Sequence, residues 1–167
     1  MSSFKPSITP SLWFDHDLEE AATFYTSVFP NSHIEGFNRC TDAGPGAPGS
    51  VLSGSFVLDG TRFVGINGGP QFPFSEAVSF TISCTDQDEV DYYWNRLTDG
   101  GEESQCGWCK DRFGLSWQIV PDRLYELVSD PDPGRATAAT KAMYGMRKIV
   151  IAELEQAAAE SSRELTR

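Results

Sequence analysis

The chain has 167 residues, 40% hydrophobic and 22% charged, with a formal net charge of −11 at pH 7. That is enough apolar material for one compact domain or two small fused modules, and the acidic balance argues against nucleic acid or an anionic membrane as partner. No run approaches the roughly 20 apolar residues needed to cross a bilayer, and Met1 to Pro6 lacks an apolar signal core, so a cytoplasmic location is expected.

Residues 8–14 read as a first strand, and residues 17–29 as a helix with Leu18, Ala21, Ala22, Tyr25, Val28 and Phe29 along one side. Pro30-Asn31 ends it, residues 32–40 form a second strand, and the stretch from Thr41 to Gly49, rich in Gly and Pro, reads as a surface loop. Residues 51–58 and 62–66 are strands joined across Asp59-Gly60, a dipeptide that favours a tight hairpin. After a linker the order returns, with a strand at 77–84, a helix opened by Asp86, and a closing hairpin at 102–120. Beyond Pro121 a short helix covers 123–128 and a longer one 136–158, where Ala142, Met143, Met146, Ile149, Val150 and Leu154 trace one stripe. The expected organisation is a first module at 1–67, a linker at 68–76, a second module at 77–120 and a helical tail at 121–167.

The two modules repeat each other. Asp17 with Glu20, and Asp86 with Glu89, each have the spacing of a capping box, and the pairs lie 69 residues apart. The same offset aligns Phe24 with Tyr93, Tyr25 with Trp94 and Val28 with Leu97. Paired modules build a cavity between them, while Trp13, Trp94 and Trp117 are assigned to the core beneath the helices.

Cys106-Gly107-Trp108-Cys109 has the spacing of a redox pair, but a turn and a strand follow it, where thiolate stabilisation would need a helix N-terminus. His16 and His33 have no ligand spacing with it, so zinc is also disfavoured. Structural thiols are expected, with a thiol oxidoreductase as the minor alternative.

The succession Trp13-Phe14-Asp15, Glu20-Ala21-Ala22, Leu58-Asp59-Gly60, Asn67-Gly68-Gly69-Pro70, Cys106-Gly107-Trp108 and Asp111-Arg112-Phe113-Gly114-Leu115-Ser116-Trp117-Gln118 resembles the PhnB-like branch of the vicinal oxygen chelate superfamily. Ala142-Met143-Tyr144-Gly145-Met146-Arg147-Lys148 in the tail looks like this branch too. Glyoxalases and extradiol dioxygenases belong to the same superfamily, and members of this branch often carry the label "3-demethylubiquinone-9 3-methyltransferase domain". The resemblance implies an α+β fold in which paired βαβββ modules form a curved mixed sheet around a cleft, followed by a C-terminal helical tail. It also implies a homodimer.

Metal-using members of the superfamily place His or Gln on the first strand and Glu on the last strand of each module. Carried onto this sequence, those positions fall at Pro10 and Ser79, and at Val64 or Gly65 and Gln118. A catalytic metal needs about three protein ligands, usually imidazoles and carboxylates, and these residues do not supply them. By strand alternation Ser116 shares the face of Gln118, Thr81 that of Ser79, and Leu12 and Phe14 that of Pro10. With Asn67 and Trp108 at the border, they form an apolar cleft with a few neutral donors, suited to a small aromatic or amphipathic ligand. The expected function is therefore small-molecule binding with no metal, no other cofactor and no assigned catalytic residue. The alternatives are a lyase, isomerase or dioxygenase-like enzyme using a divalent metal, and a methyltransferase as the label has it. The latter is disfavoured by the absence of a Gly-rich turn between a strand and a helix.

Overall fold

The computed structural model describes residues 8–44 and 46–164, in two compact units that divide at Pro73 and Phe74. The first few residues of the expected first module lie outside the described residues. The first unit comprises β1 (Ser11–Phe14), α1 (Leu18–Val28), β2 (His33–Arg39), β3 (Val51–Leu58) and β4 (Thr61–Asn67). Its sheet has the order β1-β4-β3-β2, with β1 parallel to β4 and the other pairs antiparallel. Asp59 and Gly60 both take positive φ, 44° and 75°, as the two-residue hairpin between β3 and β4 requires.

α1 covers one face of this sheet. Tyr25 packs beside Phe56, with ring centroids 6.2 Å apart, and Phe56 stacks on Phe63 at 5.6 Å. Gly65 lets the helix approach closely, because a Cβ at that position would collide with the Leu18 side chain. The register sets Leu12 beside Gly65 and Phe14 beside Asn67, on this helix-covered face. The first turn of α1 departs from the expected capping box. The Asp17 side chain makes no cap bond, and the Leu18 N–H donates instead to Asn67 Oδ1 at 3.0 Å, from the end of β4.

The second unit repeats the order with β5 (Ser79–Cys84), α2 (Gln87–Thr98), β6 (Glu102–Glu103), β7 (Trp108–Lys110) and β8 (Ser116–Pro121), in a sheet of order β5-β8-β7-β6. Here the cap forms: Asp86 Oδ1 accepts from the Glu89 N–H at 2.9 Å, and Glu89 Oε2 accepts from the Thr85 N–H at 2.7 Å. α2 buries Val90, Trp94 and Leu97, and the Trp94 indole donates to Glu103. Glu103, Cys109, Trp117 and Phe80 form one register row on that helix-covered face.

The repeat is inexact at one point that matters. Three residues separate β1 from α1, whereas two separate β5 from α2. The helices therefore align at an offset of 69 and the first strands at 70, and a shift of one residue exchanges the faces of a strand.

Past β8 the tail forms α3 (Asp122–Val128), α4 (Pro133–Tyr144) and α5 (Ile151–Glu164). Leu124, Leu127, Ala139, Met146, Ile149, Leu154 and Ala158 pack together with Val120 of β8. The single long helix expected over 136–158 is two helices. Gly145 ends α4, and the Met146 and Arg147 carbonyls then accept from the Cys106 and Gly107 N–H groups at 2.8 and 2.7 Å. Tertiary hydrogen bonds thus replace helical ones at the break. The Gln87 side chain clamps the next residues, donating to the Ile149 carbonyl at 3.1 Å and accepting from the Ile151 N–H at 2.9 Å. Among the described residues, no helix is long and apolar enough to cross a membrane.

Candidate functional site

The face of the second sheet turned away from α2 carries two polar register rows. One contains Ser79, Ser116, Lys110 and Glu102, and the other Thr81, Gln118 and Trp108. Gln118 Nε2 donates to Ser79 Oγ at 2.8 Å, which fixes the amide so that Oε1 remains as an acceptor. Trp108 presents an indole N–H, which can only donate, and among the described residues Ser116 Oγ has no hydrogen-bond partner although its residue is only 1% exposed. Lys110 Nζ donates to Glu76 Oε1 at 2.6 Å, which holds the Glu76 carboxyl below its ordinary value and raises that of the ammonium.

This face opens on a cavity of about 720 Å³, bordered by Trp108 and Gln118 on one side and by Leu124, Val128 and Met143 of the tail on the other. A pocket of about 90 Å³ lies next to it, walled by Ser116 and Lys110, and the two share Glu76, Ser104 and Trp108. The lining therefore joins polar side chains of the sheet to a tail wall in which apolar residues stand with Tyr125, Thr140 and Tyr144.

The expected site residues separate accordingly. Ser79, Thr81, Ser116, Gln118 and Trp108 share the uncovered face of the second sheet. Leu12 and Phe14 do not lie on the uncovered face of the first. They are 6% and 2% exposed on the side of α1, because the extra residue before that helix turns the strand over. Trp13 takes the position expected for them, half-buried on the uncovered face, and donates to the Gly69 carbonyl at 2.8 Å, so it is not a core residue beneath α1. Trp94 and Trp117 are in the helix-covered core as expected. Asn67 borders a cavity of about 640 Å³ in the first unit, but both ends of its amide are engaged, one by the Leu18 N–H and the other by the Val51 carbonyl. It is a structural cap.

Lys110 and Glu76 escaped the sequence reading, although alternation from Trp108 puts Lys110 on the same face. The tail's share of the wall had only the stripe through Met143 as its signal.

With the strand offset of 70, the first-unit counterparts of Ser79 and Gln118 are Thr9 and Val64, and Pro10 and Gly65 fall on the helix side. Two hydroxyls, one amide and one isopropyl group occupy the positions where superfamily enzymes hold a metal. The Gln118 amide is already bonded to Ser79, and such donors do not suit a catalytic divalent ion. No group of three or more His, Cys, Asp or Glu among the described residues is placed to hold one. The cysteines offer no substitute. All four are free, burial pushes the thiols of Cys84 and Cys109 up to about 12, and Cys106 sits in a left-handed turn at φ 57°. A redox pair needs a stabilised thiolate, the opposite shift.

A parallel first and last strand in each sheet, a helix across one face and the same strand order twice over define the paired βαβββ fold of the vicinal oxygen chelate superfamily. Residues 6–120 match the family model described as 3-demethylubiquinone-9 3-methyltransferase. The chain belongs to this family, the PhnB-like branch of the superfamily. It is 32% identical to a PhnB protein from Bacillus cereus, with a TM-score of 0.65, covering 70% of this chain and 99% of that one. Protein PA1353 from Pseudomonas aeruginosa is 19% identical, covering 71% of this chain and 100% of that one at a TM-score of 0.57. The fosfomycin resistance protein FosX from Listeria monocytogenes is 15% identical, covering 74% and 98% at 0.51, and shows the same fold. Comparison with the curated proteins found no match.

Proposed function

We propose that this chain binds a small organic molecule in the cavity of its second unit and does so without the divalent metal used by the superfamily's enzymes. One observation carries the reading. The positions of the superfamily's metal ligands are filled by Ser79 and Gln118, hydrogen-bonded to each other on the wall of a cavity of about 720 Å³. That volume lies within the range of about 300–1,000 Å³ typical of small-molecule sites, and its lining joins apolar side chains with a few convergent polar groups. Methyl transfer, which the family's description names, finds no support in the strand-to-helix turns. Asp15-His16-Asp17 and Thr85-Asp86 contain no glycine, so neither offers the close backbone approach that an adenosyl cofactor needs.

The test is a titration of the full-length chain with pyrenebutanol, an uncharged fluorescent probe, beside elemental analysis after purification without a metal-binding tag. Saturable binding of one probe per chain with no bound metal is the expected result. One tightly held ion per chain would overturn the metal-free reading, and absence of saturable binding of both this probe and its carboxylic acid counterpart, pyrenebutyrate, would overturn the small-molecule reading. We extend the proposal to a homodimer on the strength of the family resemblance. Light scattering at about twice the chain mass of 18.4 kDa would support it, and a monomer at micromolar concentration would refute it.

A further inference from the structure

We infer that the ligand is an organic acid with an apolar body, its carboxylate held by Lys110, Ser116 and Trp108 and its body lying against the chain's own tail. The inference rests on the small-molecule reading above and names the class of molecule. The polar end of the cavity is lined by hydrogen-bond donors. Trp108 Nε1 can only donate, the Ser116 hydroxyl is buried with no partner among the described residues, and Lys110 shares their wall with a full positive charge. A buried hydroxyl left unpaired is unfavourable unless something bonds to it in the working state. Three donor-bearing side chains on the wall of one pocket call for a head group with several acceptors.

Glu76 supplies the second half of the argument. Its carboxylate already occupies Lys110, yet its side chain is 63% exposed and precedes β5 in a turn, so a ligand carboxylate can take its place while Glu76 returns to water. In this state Glu76 is a stand-in for the ligand's head group. Glu102 stands beside Lys110 in the same register row without an ion pair to it, so Glu76 is the carboxylate a ligand must displace. Glu103 is engaged on the other face by the Trp94 indole and by Arg147. On the tail side, Val120, Leu124, Val128 and Met143 offer apolar surface beside the hydroxyls of Tyr125, Thr140 and Tyr144, and all of these but Val120 lie beyond the residues that match the family model. The family's common part thus supplies the head-group site, and the extension selects the body.

Pyrenebutyrate and pyrenebutanol share one body and differ in the head group, so comparing them by fluorescence titration at neutral pH isolates the carboxylate. The expected result is binding of the acid about tenfold tighter than the alcohol, the difference made by one charge-assisted hydrogen bond. Lys110→Met should bring the acid's affinity to that of the alcohol, Lys110→Arg should keep most of the preference, and Glu76→Gln should tighten the acid about threefold with the alcohol unchanged. Equal affinities in the unaltered protein, or a preference that survives Lys110→Met, would overturn the carboxylate assignment while leaving small-molecule binding intact. Saturable binding of neither probe would overturn the underlying reading as well.

Discussion

Replacing Ser116 by alanine should make the protein more stable and a poorer binder of organic acids. The hydroxyl is buried, with 1% of the residue exposed and no hydrogen-bond partner among the described residues. Leaving such a group unpaired costs about 1–3 kcal/mol. Alanine removes that penalty and leaves a space of one heavy atom, which costs a few tenths of a kcal/mol at about 24 cal/mol per Å³ of residual cavity. The net gain is about 1–2 kcal/mol, or about 2–8 °C in Tm at about 2–4 °C per kcal/mol for a chain of this size. Scanning calorimetry without ligand reads this directly, with Ser79→Ala as the paired control. Ser79 Oγ accepts from Gln118, so its loss should destabilise by about 0.5–1.5 kcal/mol. A Ser116→Ala protein no more stable than the original would show that the hydroxyl is satisfied, and the argument that it awaits a ligand would fail.

Phe14→Ala should destabilise by about 3–5 kcal/mol in urea unfolding while leaving probe affinity within about twofold, because Phe14 is buried on the side of α1 and outside the cavity. A loss of binding with stability intact would return Phe14 to the site. Asp111→Ala should be more damaging than Asp111→Asn, since the buried carboxylate accepts from the Phe113 and Leu115 N–H groups and the Trp117 indole, and the amide keeps one acceptor oxygen. A loss of about 3–5 kcal/mol is expected for the alanine variant, and equal effects of the two would refute the hydrogen-bond account. Gln87→Ala should speed hydrogen exchange at the Ile151 amide at least tenfold by releasing the clamp on the tail, and unchanged protection there would show that the tail is held otherwise. The thiols of Cys84 and Cys109 ionise near 12 in the folded chain and near 9 when unfolded, so the stability they contribute is complete below about pH 9 and declines toward pH 12. An alkylating reagent at pH 8 should therefore modify neither until the protein unfolds, as peptide mapping would show.

The elements themselves were legible because their signals are local. Apolar spacing at three and four residues marked both module helices, Asp59-Gly60 marked the hairpin, and the matching Asp–Glu spacings marked the repeat, although only Asp86 forms its side-chain cap. Alternation also grouped Ser79 with Thr81, and Ser116 with Gln118, since side chains two apart in a strand share a face whatever surrounds them. What failed in the first module was the assignment of a face. One extra residue between β1 and α1 is invisible to an ungapped alignment of two capped helices, yet it carries Leu12 and Phe14 into the core and Trp13 out of it. The tail failed for a related reason. Its apolar stripe continues through Met146, Ile149 and Val150, so periodicity alone extends the helix across a break that hydrogen bonds from Cys106 and Gly107 create.

Sequence by itself determined the repeat and the family, because each follows from residue type and spacing along the chain. Tertiary structure decided that Asn67 would cap α1, that Glu76 would cover Lys110, and that tail side chains would wall the cavity beside Trp108 and Gln118. Those contacts join residues distant in sequence, and no local period encodes which surface a face will meet. A covalent chain specifies which side chains stand together on an element; the packing of elements decides whether that face becomes core or site.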